Sequence, residues 1–179
     1  QRGADHGATL LQEPGNAFTY LLKLHLSLRH VSIESIIDFL IAISCWAADS
    51  AARGAGGPRV LEELEDIVEA MGDSSLDQLA FHELDAQFHS AVVRASGNEL
   101  ATLVIDGCSD ALRRLILAAI EETDEWDAMR EGLRAEHAAI VRAMKDGDPE
   151  RAESLMRTHL SIWCGRAVAE ATRKGILLS

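Results

Sequence analysis

Four side chains stand out in this 179-residue sequence for the chemistry their types and spacing allow: Asp85, His89, His137 and His159. Asp85 and His89 are four apart, so on a helix they point the same way, beside the apolar stripe of Leu84, Phe88 and Val92. His137 sits in the middle of a face set by Leu133, Ile140, Val141 and Met144. His159 interrupts another face, made by Ala152, Leu155, Met156, Leu160, Trp163 and Ala167. Three helices therefore each turn a histidine toward the interior, and one adds a carboxylate. Burying these groups unpaired is costly. A divalent cation would resolve the cost by neutralising Asp85 and accepting three imidazole lone pairs. Three nitrogens and one oxygen suit Zn, Ni, Co, Mn or Fe(II) better than soft thiolate metals or hard all-oxygen ones. Spacing alone leaves two plainer readings open: each histidine as a satisfied core residue, and Asp85 with His89 as a charge-assisted pair.

Several neighbours could support such a site. His82 lies three before Asp85 and shares its face, one turn nearer the helix start, which favours an outer-shell or surface role over ligation. Arg130 and Arg134 precede His137 by seven and three residues. They read either as surface salt bridges to Asp127 or Glu131, or as an anion clamp beside the metal, since arginine recognises carboxylates bidentately. His6, His25 and His30 fall in or near the start of the chain and read as surface or packing residues. Cys45, Cys108 and Cys164 are odd in number, widely spaced and set among apolar residues, which excludes a disulfide framework and points to buried thiols in a reducing compartment.

The elements that must position these residues are helical. Residues 1–15 have no stable period and read as a tail. Apolar periodicity predicts helices over 17–29, 33–53 with Ser32 as cap, 59–71 after the Gly-rich break ending at Pro58, and 76–95 after the turn at 72–75. Ser96 and Glu99 are spaced as a capping box for a helix over 99–120. Another helix begins at Thr123 or Asp124 and runs to Lys145. Gly147, Asp148 and Pro149 then stop one helix and open the next, which reaches about Thr172. No strand alternation is convincing. The fold class is all-α, an antiparallel bundle of six to seven helices.

Composition bounds the function. The length fits one domain. The 29 acidic residues against 17 basic ones give a net charge of -12, with no basic run, which makes this chain by itself a poor DNA binder. The polar start does not read as a signal peptide, and the longest apolar run, Ile41 to Ala48, is far too short for a membrane span.

Two stretches carry a family resemblance. One is Leu84-Asp85-Ala86-Gln87-Phe88-His89, followed by Ala95-Ser96-Gly97-Asn98. The other is Glu136-His137 through Met144, with Gly147-Asp148-Pro149-Glu150-Arg151-Ala152 and His159-Leu160 after it. Together they resemble the C-terminal sensor domain, called FCD, of the FadR subfamily of GntR transcription regulators. The resemblance is strongest from Leu76 to Ala167 and weaker over Tyr20 to Phe39. It implies an antiparallel helical sensor that holds a divalent transition metal through Asp85, His89, His137 and His159. It also implies a small organic-acid or related metabolite effector, with Arg130, Arg134 and Asn98 as candidate contacts. A homodimer is expected because DNA half-sites are paired.

The resemblance further implies that 1–16 is a linker or the residual end of an N-terminal winged helix-turn-helix, with 17–175 as the sensor. DNA would be reached only through that other domain, in the cytoplasm, with no membrane role and no catalysis. One departure stands out. Where the family often has an arginine and, four residues on, a glutamate near the effector pocket, this chain has Leu40 and Ser44, which implies a more apolar or differently oriented effector. Two other classes compete with the sensor: a small metal-dependent enzyme using the Asp/His3 set, and a purely structural bundle. No general base is evident beside the ligands; Glu83 and Glu136 adjoin them in sequence, but successive helix residues point apart.

Overall fold

The computed structural model describes residues 20–21, 24–25, 32–108 and 126–174. Among the described residues there are six helices and no strand. They are α1 (Ile33–Ala52), α2 (Pro58–Ala70), α3 (Gln78–Arg94), α4 (residues 99–108), α5 (Trp126–Lys145) and α6 (Pro149–Arg173). The predicted all-α bundle is the fold found. Of the predicted helix over 17–29, residues 20, 21, 24 and 25 are helical, and Tyr20, Leu21 and Leu24 are exposed. The remainder of it, residues 109–125 and His6 and His30 lie outside the described residues.

Local chemistry explains the boundaries. The Ser32 hydroxyl accepts from Ser35 N–H at 3.1 Å and starts α1. Gly147, with φ of +66°, ends α5, and the Asp148 carboxylate accepts from Arg151 N–H at 3.1 Å with Pro149 in the first turn of α6. Two further boundaries add detail, and the second differs from expectation. Asp73 holds the 72–75 turn by accepting from Ser75 N–H and hydroxyl, and it is Asp77 that caps α3, accepting from Ala80 N–H at 2.7 Å. Asn98, and not Ser96 with Glu99, caps α4: its side-chain oxygen accepts from Ala101 N–H at 3.0 Å. The Ser96 hydroxyl instead donates to the Val93 carbonyl at 2.6 Å, at the end of α3, so it is already used.

Helix α1 packs against α3, α5 and α6, while α2 lies on α3 and α5, and α5 lies along α6. By length and composition α1 could cross a membrane, which the uninterrupted run alone does not reveal. In the bundle its apolar side, including Ile36, Leu40, Cys45, Ala47, Ala48 and Ala51, is part of the core. Phe81, Phe88, Leu64, Met71, Ile140, Met144 and Met156 fill the interior around it. Exposed ion pairs, Arg94 with Glu63 and Lys145 with Glu65, link α2 to α3 and α5 but contribute little each.

Two turns meet backbone to backbone beside this core. Gly56 lies so close to Ala95 that a Cβ would overlap the Ala95 carbonyl, and Gly97, at φ of +71°, faces the Ala55 carbonyl. Gly132, by contrast, has open space where a Cβ would stand, on the exposed side of α5. Gly56→Ala is expected to lower stability by about 1–3 kcal/mol through backbone displacement. Gly132→Ala is expected to raise it by up to about 1 kcal/mol through helix propensity. Opposite shifts in melting temperature check the pair, and a neutral Gly56→Ala would show that the two turns are not held in contact.

Candidate metal centre

Asp85 and His89 stand one turn apart on α3, His137 on α5 and His159 on α6, and one donor atom from each lies within 4.8 Å of all the others. The structure thus brings together the four residues that their helix faces had suggested. His137 and His159 are buried, while the Asp85 side chain is 23% exposed and that of His89 14%. The cluster is therefore closed on the α5–α6 side and open toward solvent at Asp85.

All three imidazoles point Nε2 inward. His137 Nε2 and His159 Nε2 are 3.1 Å apart, His159 Nε2 and His89 Nε2 3.3 Å, and Asp85 Oδ1 lies 3.4 Å from His137 Nε2 and 3.8 Å from His89 Nε2. Donors held about 2.0–2.1 Å from one cation stand about 2.8–3.0 Å apart along the edges of an octahedron and about 3.3–3.4 Å along those of a tetrahedron. Three of the four distances fall close to those edges, and the Asp85–His89 distance is longer. Packing fixes the rings: Phe88 stacks on His137 with centroids 4.0 Å apart, and His89 stacks on His159 at 5.2 Å.

Hydrogen bonding does not satisfy the cluster. Asp85 Oδ1, His89 Nδ1 and His137 Nδ1 are buried with no hydrogen-bond partner. Asp85 Oδ1 is near enough to two imidazoles for charge attraction but is not bonded to either. Each Nε2–Nε2 contact can hold one shared hydrogen between neutral rings, but this leaves Asp85 Oδ1, His89 Nδ1 and His137 Nδ1 unpartnered. A divalent cation fits this donor set: it would accept the three nitrogens and neutralise the carboxylate.

Burial also sets the charge state. It pushes the His89 imidazole down to about 4, helped by His159 and opposed by the Asp85 carboxylate. Burial likewise drives His137 well below the ordinary value of 6.5, with His159 and His89 adding to the effect. Both rings are therefore neutral near pH 7, the form that ligates metals.

One residue that spacing arguments set aside proves to be attached to the cluster. The Glu136 carboxylate, beside His137 in sequence, reaches across to α6. Its Oε2 lies 2.7 Å from His159 Nδ1 and accepts from Trp163 Nε1 at 2.9 Å. Successive helix residues do point apart, and that is why Glu136 meets a ligand on the next helix. Trp163, one turn beyond His159, was legible only as an apolar face residue, and the Arg166 guanidinium lies over its ring at 4.7 Å.

The other candidates are drawn elsewhere. Arg130 donates to the Asp73 carbonyl at 2.9 Å and lies 3.7 Å from Asp127; Arg134 pairs with Glu131. These are the partners of the plain salt-bridge reading. Asn98 is committed to its cap. The His82 ring is neither ligand nor surface group. It packs against Phe81 and Trp126, with Nδ1 buried and unpartnered, and burial lowers its proton affinity. Leu40 and Ser44 are both buried on α1, and His25 is exposed. The three cysteines are free, and Cys45 and Cys108 are buried as expected, while Cys164 is only half-buried; burial raises each thiol, Cys164 to about 11 with the Asp85 carboxylate contributing.

Comparison with known proteins follows the same frame. An uncharacterized HTH-type transcriptional regulator in an unstable DNA locus of Streptomyces ambofaciens is 30% identical over 103 residues, which are 58% of this chain and 42% of that protein. The chain thus spans less than half the length of that relative. Among solved structures, the metal-free FCD domain of the proposed transcriptional regulator TM0439 superposes with a TM-score of 0.62 at 18% identity, covering 79% of this chain and 94% of that one. At that identity the likeness is one of fold. A family profile described as the FCD domain matches residues 35–161, a stretch that holds Asp85, His89, His137 and His159 together. The chain belongs to the FCD domain family.

Proposed function

We propose that this chain is the ligand-sensing part of a GntR/FadR-type transcription regulator, with a regulatory and not a catalytic role. In this reading Asp85, His89, His137 and His159 hold a divalent transition metal of the Zn, Ni, Co, Mn or Fe class. A small organic-acid or related effector binds beside the metal and alters DNA binding by a winged helix-turn-helix that is not among these residues. The observation that carries the reading is the convergence of one carboxylate oxygen and three Nε2 atoms within 4.8 Å of one another, with Asp85 Oδ1, His89 Nδ1 and His137 Nδ1 buried and unpartnered. The cation would supply positive charge and open coordination positions for an anionic group.

The protein's residues would do the rest. Asp85 and His89 line the side that solvent reaches, so the effector approaches there, while the buried His137 and His159 anchor the metal from below. Arg130, Arg134 and Asn98 enter as effector contacts only if they leave Asp73, Glu131 and the α4 cap. An acidic chain of net charge -12 meets DNA through another domain, as a cytoplasmic homodimer matched to paired half-sites. A metalloenzyme would need a free general base beside the metal. The nearest added carboxylate, Glu136, already accepts from His159 and Trp163.

Protein prepared without a polyhistidine tag should contain close to one transition-metal ion per chain by elemental analysis. Asp85→Ala combined with His137→Ala should remove it, and equal metal in both proteins would overturn the site. The metal-loaded chain should gain thermal stability from small carboxylates, by about 2.7 kcal/mol at a ligand concentration of 100 times Kd. The gain should vanish in that double variant, and the absence of any carboxylate shift in the loaded native chain would argue against this effector class.

The charge state makes a further expectation for the metal-stripped chain. The His89 proton affinity is lower folded (about 4) than its ordinary 6.5, so the unfolded chain binds more protons below 6.5. This contribution to stability is present above pH 6.5 and is lost as pH falls toward 4. Urea unfolding across that window should show stability falling with pH. His89→Gln should flatten the fall, and an identical slope in the two proteins would refute the neutral buried imidazole.

A further inference from the structure

The three histidines of the cluster are not equivalent. His89 Nδ1 and His137 Nδ1 are buried without a partner, so on that side only ring packing orients them. His159 Nδ1 faces Glu136 Oε2 at 2.7 Å. A carboxylate only accepts, so the hydrogen sits on His159 Nδ1, and in the neutral ring the lone pair is on Nε2, aimed at His137 and His89. The same carboxylate oxygen accepts from Trp163 Nε1 at 2.9 Å, which holds Glu136 in place from the turn beyond His159.

We propose that Glu136 is the positioning residue of this centre: it fixes His159 as the ligand with its lone pair presented before any metal arrives, and Trp163 clamps the carboxylate that does so. The inference rests on the metal reading above but concerns a separate contact. Outer partners of this kind fix ring orientation and raise ligand basicity, and losing one lowers metal affinity without removing a ligand. Because His159 carries the one fixed tautomer of the three, it would present its lone pair in advance, while His89 and His137 would set their tautomers when a metal is held.

The Glu136 side chain is 41% exposed, so replacing it leaves no core cavity. Glu136→Gln keeps the shape. Its amide can present either its oxygen or its NH2 to Nδ1, which permits the wrong tautomer with a hydrogen on Nε2. Trp163→Phe keeps the ring and removes the clamping donor.

The test uses zinc alone, with the full chain in competition against a chromophoric chelator, and reads His159 by two-bond ¹H–¹⁵N correlation in metal-stripped protein at mildly alkaline pH. Glu136→Gln should bind zinc about 10- to 100-fold more weakly than native. Trp163→Phe should show a smaller loss in the same direction, and both metal-free variants should melt like native. Native His159 should carry its hydrogen on Nδ1, with a mixture in Glu136→Gln. Zinc binding by Glu136→Gln as tight as native overturns the proposal, whatever the tautomers. If native protein takes up no zinc, the metal reading fails by itself and the tautomer decides the role of Glu136: a change on substitution supports it, and the same tautomer in both proteins overturns it. Should Glu136→Gln melt early, Trp163→Phe carries both readouts.

Discussion

Polar atoms cannot be left unpartnered in a packed interior, and this bundle places Asp85 Oδ1 and three imidazole Nε2 atoms against one another where α3, α5 and α6 meet. The cost of that arrangement constrains everything around it. A proton is a poor solution, because burial already drives His89 and His137 away from the charged form. A hydrogen-bonded network is only a partial solution, because the Nε2 contacts can each take one hydrogen while Asp85 Oδ1, His89 Nδ1 and His137 Nδ1 stay unpartnered. A cation answers both, and it asks for what the sequence provides: side chains from separate helices, held by surroundings rigid enough to keep donors a coordination edge apart.

The surrounding core supplies that rigidity. Phe88 lies between Asp85 and His89 on α3 and stacks on His137 of α5, so one aromatic ring sets the distance between two ligand-bearing helices. Helix α1 contacts all three ligand helices through a largely apolar, partly alanine-lined face and backs the cluster without adding a donor to it. Its apolar composition follows only in part from that position, since Phe39 and Trp46 on its other side are exposed. The meeting of Gly56 with Ala95 and of Gly97 with Ala55 ties the end of α3 to the turn after α1, which limits how far the Asp85–His89 face can slide.

What could be read from the sequence was whatever depends on one helix at a time. Periodicity exposed which way Asp85, His89, His137 and His159 point, because a residue's angle on its own helix is fixed by counting. It placed Gly147, Asp148 and Pro149 for the same reason. What depends on two elements was not legible. Ser96 looks like a cap by spacing, but its hydroxyl is taken by the end of the preceding helix, and the cap passes to Asn98. Arg130 looks aimed at His137 along α5, but the turn before α3 offers it the Asp73 carbonyl. Glu136 looked irrelevant by the same single-helix logic, and its value lies in the neighbouring helix it reaches. The family motifs identified the four ligand candidates more sharply than periodicity did, yet they named neither Glu136 nor Trp163 as partners of the site.

The cluster is uneven in both exposure and hydrogen bonding: His159, held by Glu136 and Trp163, and His137 are buried, while the Asp85 and His89 side chains are partly exposed although Asp85 Oδ1 itself is buried and unpartnered. A ligand changes a protein's state only by binding one arrangement better than another. In the proposed reading, a metal held from the α5–α6 side would leave that difference to the Asp85–His89 edge on α3, the helix whose far end meets the 54–57 turn. An effector acting on Asp85 would then work against α3 and the turns packed on it more than against the α5–α6 pair, which has its own carboxylate–imidazole–indole contact. The fold alone, shared at low identity with other FCD domains, does not dictate this; it follows from which side chains are partnered and which are not.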